Sequence, residues 1–139
     1  AGSSFEVVGT LPIDPEQEIA AIEFSSDSRQ LAVLDSTGEY LVFDVKRRKR
    51  VLERAATQMA FPITAADISS DLTRVVRGML SNLEVIDARS GRKLASRLFY
   101  PCHTGQQARA ILQLPNGREF VSSDHYEVNL VERATLREV

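Results

Sequence analysis

The sequence has 139 residues, 43% of them apolar, 26% charged and 6% aromatic, with seven Gly, five Pro and no Trp. A chain of this size holds one ordinary domain with a real core, and the composition excludes a disordered tail, a collagen-like rod and a disulfide-stapled mini-protein. Net charge is −2 and no apolar run approaches the roughly 20 residues of a membrane helix, so neither a generally basic surface nor a membrane span is expected.

Phe5 to Thr10 (FEVVGT) reads as an outer strand with no neighbour of its own, followed by a polar linker to Glu18. Ile19, Ile22 and Phe24 then lie on a short run that Ser25, Ser26 and Asp27 close, a cluster that favours turns. Leu31 to Leu34 is an apolar run, Ser36-Thr37-Gly38 turns the chain, and Tyr40 to Val45 is β-branched and aromatic. Short runs bounded by turn residues predict successive antiparallel strands. Continuous apolarity, rather than strict alternation, suits strands covered on both faces.

The same pattern returns twice. From Ile63 come ITAADISSD, then Val75 and Val76, then Leu83 to Ile86, with Ser90-Gly91 as a hairpin turn. From Ala108 come ARAILQLPNG and two further runs, with Asn116-Gly117 predicting a tight two-residue hairpin. The turn residues Asp27, Asp71 and Asn116 are 44 and 45 positions apart, and the acids Asp44, Asp87 and Glu132 are 43 and 45 apart. Two independent landmarks give one period, so the chain is a repeat protein. No stretch keeps apolar residues at helical spacing for three turns, and the prediction is all-β.

The repeat resembles the WD-repeat-type β-propellers. Phe24-Ser25-Ser26-Asp27, Ile68-Ser69-Ser70-Asp71 and Leu114-Pro115-Asn116-Gly117 stand where that family carries its Ser/Pro-Asp-Gly turn. Phe43-Asp44, Ile86-Asp87 and Val131-Glu132 stand in its Trp-Asp position, without the Trp and without a Gly-His pair at any blade start. The resemblance implies a partial propeller of three four-stranded meander blades: 19–62, 63–107 and 108–139, the last lacking its outer strand. Residues 1–18 would then supply an outer strand for a neighbouring blade plus a linker. It also implies a protein-interaction scaffold without catalytic activity or cofactor.

Propellers close with typically 4–8 blades, so three leave two apolar faces and an edge to be covered. Two arrangements do this. In one, two copies form a homodimer closing a six-bladed ring and exchange their Phe5–Thr10 strands. In the other, further blades come from the same parent chain; the missing initial Met and the end inside a strand position lead to that expectation.

Candidate chemistry is sparse. Lys46, Arg47, Arg48, Lys49 and Arg50 form a basic hairpin whose functional reading is anion binding, to phosphoinositide or nucleic acid; the alternative is a charged edge that deters aggregation. No aromatic residue interleaves it, so nucleic acid is not the expected partner. Cys102, His103 and His125 lack the spacing of a metal site. Ser122 or Ser123 with Asp124 and His125 is too local for a triad. Asp44 and Asp87 are repeat equivalents, and turn capping is their expected role. Protein partners are expected on the loops Leu11–Glu18, Thr57–Pro62 and Tyr100–Gln107, with Phe61, Tyr100 and His103 as candidate contacts. A propeller enzyme with its site in the central channel is the reading from another class. The lone Cys102 favours a reducing, cytoplasmic or nuclear setting.

Overall fold

The computed structural model describes residues 6–56, 59, 61–80, 82–98, 108–123 and 128–137. These residues form eleven strands and no helix. Strands β1 (Ile19–Phe24), β2 (Gln30–Asp35), β3 (Tyr40–Asp44) and β4 (Lys49–Arg54) make one antiparallel sheet in sequence order. A second is made by β5 (Ala65–Ile68), β6 (Arg74–Met79), β7 (Asn82–Asp87) and β8 (Lys93–Leu98). The third holds β9 (Ala110–Gln113), β10 (Glu119–Ser123) and β11 (Val128–Glu132) among the described residues. The meander order and the period are those expected of blades, and the three sheets are called blades 1 to 3 below. Residues 6–10, expected as part of a strand, form none with the described residues of this chain.

Repetition extends to irregularities. The register slips between Val42 and Phe43 in blade 1 and between Val85 and Ile86 in blade 2, leaving Val51 and Leu94 as the extra residues of β4 and β8. Such bulges increase local twist, as an outer blade strand requires.

Successive side chains of a strand point to opposite faces. Blade 1 therefore turns Ala32, Leu34, Tyr40 and Val42 toward blade 2, where they meet Ile68, Val75, Ile86 and Ala88. The other face of blade 2 presents Ala65, Val76, Leu83 and Val85 to Ile111, Phe120, Val131 and Leu136. Burying both faces is why β2 and β3 carry unbroken apolar runs and why the centres of β6 and β7 are apolar apart from Arg77 and Glu84; full burial of one apolar side chain contributes about 1.5–3 kcal/mol.

The blades stack in phase. β5 lies beside β1 and β9 beside β5. The Gln113 backbone N–H donates to Asp67 Oδ2 at 2.7 Å, and its side-chain Nε2 donates to the Asp67 carbonyl at 3.0 Å. Tyr40 Oη of blade 1 donates to the Leu72 carbonyl of blade 2 at 3.1 Å, with burial pushing the phenol up to about 12. Arg54 Nε donates to the Ala88 carbonyl at 2.9 Å.

The two outermost faces differ. On blade 1, Val33, Leu41 and Phe43 are buried with Leu11 and Ile13 packed on them, so the segment read as a linker is a cap. Arg50 Nη2 ties the cap down by donating to the Pro12 carbonyl at 2.7 Å. Ile22 and Phe24 on the same face stay 59% and 50% exposed. On blade 3 the row Leu112, Val121 and Leu130 faces outward, Leu112 being 61% exposed.

One expectation is corrected. Asn116-Gly117 is not the centre of a two-residue hairpin. Leu114 N–H bonds to the Glu119 carbonyl and Gly117 N–H to the Leu114 carbonyl, which encloses a four-residue loop whose third residue, Gly117, is left-handed. Blades 1 and 2 repeat it, with Ser25 N–H to Gln30 and Ser69 N–H to Arg74, because the loop is set by the side-chain oxygen of Asp27, Asp71 or Asn116 rather than by the glycine.

Candidate interaction surface at the turn end of the blades

In a meander, the β1–β2 and β3–β4 turns lie at one end of the sheet and the β2–β3 turn at the other. Because the blades stack in phase, the corresponding turns of all three gather at one end. They occupy residues 25–30 and 44–50 in blade 1, 69–74 and 87–93 in blade 2, and 114–119 and 132–137 in blade 3.

Each turn is held by an oxygen-bearing side chain at a fixed place. Asp27 Oδ1 accepts from Ser25 Oγ at 2.6 Å and from Arg29 N at 3.0 Å. Asp71 Oδ1 accepts from Ser69 Oγ, Thr73 N and Thr73 Oγ1 at 2.6, 3.0 and 2.7 Å. Asp44 Oδ1 accepts from Arg47 N at 2.8 Å, and Asp87 Oδ1 accepts from Ser90 N and Oγ, both at 2.9 Å. The Ser25 hydroxyl, helped by the Arg29 amide, holds Asp27 below the usual carboxylate range. Ser90 does the same to Asp87 through its amide and its hydroxyl. Burial works against Asp71, but the Ser69 and Thr73 hydrogen bonds outweigh it. Asp44 and Asp87 are thus turn caps in separate blades and do not converge on one substrate.

The cations of these turns point outward. Lys46, Arg47 and Arg48 form the β3–β4 turn, Lys49 and Arg50 open β4, and all five are exposed. Arg48 takes a left-handed φ of 54° and its guanidinium lies against Gly9. Arg50 pairs with Glu53 at 3.4 Å besides holding Pro12. Two of the five basic residues are therefore occupied with the N-terminal cap, while Lys46, Arg47 and Lys49 make no ion pair among the described residues.

Sequence reading singled out this hairpin and missed what surrounds it. The six turns carry thirteen of the seventeen Lys and Arg residues against six of the nineteen carboxylates. Arg29, Arg74, Arg89, Arg92, Lys93, Arg118, Arg133 and Arg137 are scattered singly along the sequence and look like solvated turn residues. Their shared phase within the repeat is the signal that brings them together. Between blades 2 and 3 this end also holds a cleft of about 300 Å³, with Val85, Leu94 and Ala95 as apolar wall and Arg74, Arg118 and Arg133 beside them. Arg74 pairs with Asp87 at 3.3 Å, and Arg133 Nη1 donates to Gln113 Oε1 at 3.4 Å.

The other sequence candidates lie elsewhere. Phe61 is 51% exposed in the β4–β5 connection, at the opposite end from the basic hairpin. Ser122 is buried on the blade 3 face that meets blade 2. Tyr100, Cys102, His103, Asp124 and His125 lie outside the described residues. Among the described residues no three His, Cys, Asp or Glu side chains are placed to hold a metal ion.

No protein-family model and no curated protein matches the sequence. Solved structures do match its fold. The β-propeller domain of Cps50 (Swd1) from Myceliophteria thermophila aligns over 96% of this chain at a TM-score of 0.62 and 14% identity. U3-55K aligns over 94% at 0.67 and 13%, and the WD40 repeats of RRP9 over 94% at 0.68 and 12%. The chain spans 40% of the length of each. Identities this low carry the fold alone: an all-β, three-bladed portion of a WD40-type β-propeller.

Proposed function

We propose that this chain is part of a β-propeller scaffold that holds protein partners on its turns and loops and catalyses no reaction. The rigid stacking of three blades carries the reading. Every described turn at one end is anchored by its own Asp, Asn or Glu and by buried strands behind it, while most of its side chains, Leu72, Ala88 and Leu136 apart, stay accessible. Such a platform offers many weak contacts in fixed relative positions, the arrangement a partner surface needs. A reducing, cytoplasmic or nuclear setting goes with it, given the lone cysteine.

The two terminal faces belong to the same reading. Ile22, Phe24 and Leu112 are exposed where, between blades 1, 2 and 3, equivalent faces are covered. A ring completed by further blades, or by a second copy, covers them, and the 40% span of the matched propellers supports additional blades.

Cross-linking followed by mass spectrometry tests the scaffold reading, using the chain at native abundance. Cross-links from the turns and loops to one reproducible protein are expected. Turnover of a small molecule by the purified chain, lost on changing a channel-facing residue, would overturn it in favour of the enzyme reading. Light scattering tests the ring: a mass near twice 15.4 kDa indicates the two-copy ring, and heterogeneous association indicates blades supplied from elsewhere.

A further inference from the structure

The basic side chains of this molecule gather at one end. Outside the six turns, the sequence holds only four cations, Arg54, Arg77, Arg97 and Arg109, against thirteen carboxylates. The net charge of −2 therefore conceals a strongly basic end and a strongly acidic remainder. We infer that the turn end of the blades is a docking surface for an acidic polypeptide segment, with side-chain carboxylates seated on the arginines of adjacent blades. The inference rests on the scaffold reading and gives the partner its chemistry.

Three observations select an acidic polypeptide. Ten of the thirteen cations are arginines, whose planar fork takes a carboxylate through two parallel hydrogen bonds. The carboxylates at this end neutralise them only in part: Asp27, Asp44, Asp71 and Asp87 each give Oδ1 to backbone or hydroxyl donors of their own turn, and of the four only Asp87, to Arg74 at 3.3 Å, and Asp27, to Arg29 at 4.0 Å, also face a cation at ion-pair distance. Arg89, Arg92 and Arg118, like Lys46, Arg47 and Lys49, make no ion pair among the described residues. The cleft between blades 2 and 3 joins Arg74, Arg118 and Arg133 to an apolar wall of Val85, Leu94 and Ala95, with Leu94 39% exposed. That mixture suits a peptide, which brings carboxylates and apolar side chains together. Desolvation in the cleft and the neighbouring Arg74 also lower the Arg133 pKa, a field that an incoming carboxylate relieves.

Competing ligands fit less well. Single-stranded nucleic acid needs stacking platforms, and none of the six turns contains an aromatic residue. A nucleic-acid strand long enough to pass beyond the turns meets the acidic remainder of the molecule. A bilayer needs apolar tips to insert, whereas the turn leucines Leu72 and Leu136 are buried inward.

Fluorescence anisotropy with a labelled Glu-rich peptide, the 139-residue chain and about 0.15 M salt tests the inference. Arg89→Gln with Arg118→Gln is expected to weaken the peptide roughly tenfold. Ala55→Glu with Ala56→Glu, at the opposite end and with the same change in net charge, is expected to change it less than about twofold. Circular dichroism confirms that both variants stay folded. Equal weakening by both pairs would overturn the inference, since bulk charge would then govern binding. Tighter capture of a DNA duplex, an RNA strand or phosphoinositide vesicles through the same arginines would overturn it in favour of phosphate recognition. Cross-links to a partner that survive Arg89→Gln with Arg118→Gln would defeat this surface and leave the scaffold reading standing; absence of any protein cross-link would defeat the scaffold reading itself.

Discussion

Arg77 on β6 and Glu84 on β7 form a buried two-point ion pair on the face that blade 2 turns toward blade 1. Nε and Nη2 of the arginine donate to Glu84 Oε2 at 3.0 and 2.8 Å. The other carboxylate oxygen, Oε1, accepts from Lys93 Nζ at 2.6 Å and Asn82 Nδ2 at 3.2 Å. A buried charge stripped of its partner is far more costly than the pair itself is favourable. Glu84→Ala is therefore expected to destabilise by about 3–5 kcal/mol in urea unfolding, and Arg77→Met combined with Glu84→Leu to recover most of that loss. An unchanged urea midpoint for Glu84→Ala would show that water reaches Arg77.

The same pair gives the fold an acid-sensitive component. Burial raises the Glu84 pKa, but hydrogen bonds from Lys93 and Arg77 outweigh it and leave the group below its ordinary 4.5. A carboxylate depressed in the folded state contributes its full stabilisation above the unfolded value and loses it as pH falls through the folded value. The melting temperature should accordingly drop as the pH is taken below about 4.5. Glu84→Gln, already destabilised at neutral pH, should show a shallower decline. Parallel profiles for the two proteins would remove Glu84 from the cause.

Asp67 presents the opposite case. Burial between blades 2 and 3 raises its pKa, although the Gln113 backbone N–H donates to it at 2.7 Å. The folded state therefore holds the proton more tightly than the unfolded chain, and the disadvantage of the charged form develops as pH rises through the unfolded and then the folded value. Asp67→Asn keeps an oxygen for Gln113 and sheds the charge. It is expected to stabilise at pH 7 by less than about 1 kcal/mol, with the advantage over the parent vanishing in acid, whereas Asp67→Ala destabilises at every pH. A destabilised Asp67→Asn at pH 7 would mean that the ionised form is the one the interface favours.

These residues also mark what a reader of the sequence can and cannot see. The repeat was visible because Asp27, Asp71 and Asn116 perform one backbone task in three places, and a task of fixed geometry leaves a fixed spacing. The central strands were visible because burial on two faces excludes polar residues from most of their length. Arg77 within β6 and Asp67 within β5 break that apolar pattern, and their partners Glu84 and Gln113 are supplied by a neighbouring strand and a neighbouring blade. Leu11 and Ile13 read as linker, since two isolated apolar residues have no periodicity; only the outer face of blade 1, where they pack on Val33, Leu41 and Phe43, explains them. The hairpin 46–50 announced itself by being contiguous. The larger basic end did not, because contiguity in space there comes from stacking three turns that are more than forty residues apart.

The turns supply the last test, since they carry a recurring left-handed residue. Ser28, Leu72 and Gly117 share this position at φ of 58°, 60° and 68°, and Arg48, Gly91 and Leu136 share the second at 54°, 73° and 57°. An L-residue there is strained by roughly 1–2 kcal/mol, which glycine avoids. Ser28 is exposed, so its side chain offers little in return. Ser28→Gly should stabilise the fold, by up to about 1 kcal/mol once the greater freedom of the unfolded chain is set against the relief. Leu72 has the same backbone but is 7% exposed and packed among Leu34, Tyr40, Val75 and Ile86 in the core between blades 1 and 2. Leu72→Gly relieves the same strain and empties that site, so a net loss of about 2–4 kcal/mol is expected. Denaturant unfolding of the two variants separates backbone strain from packing: changes of the same sign would show that one of the two governs both turns.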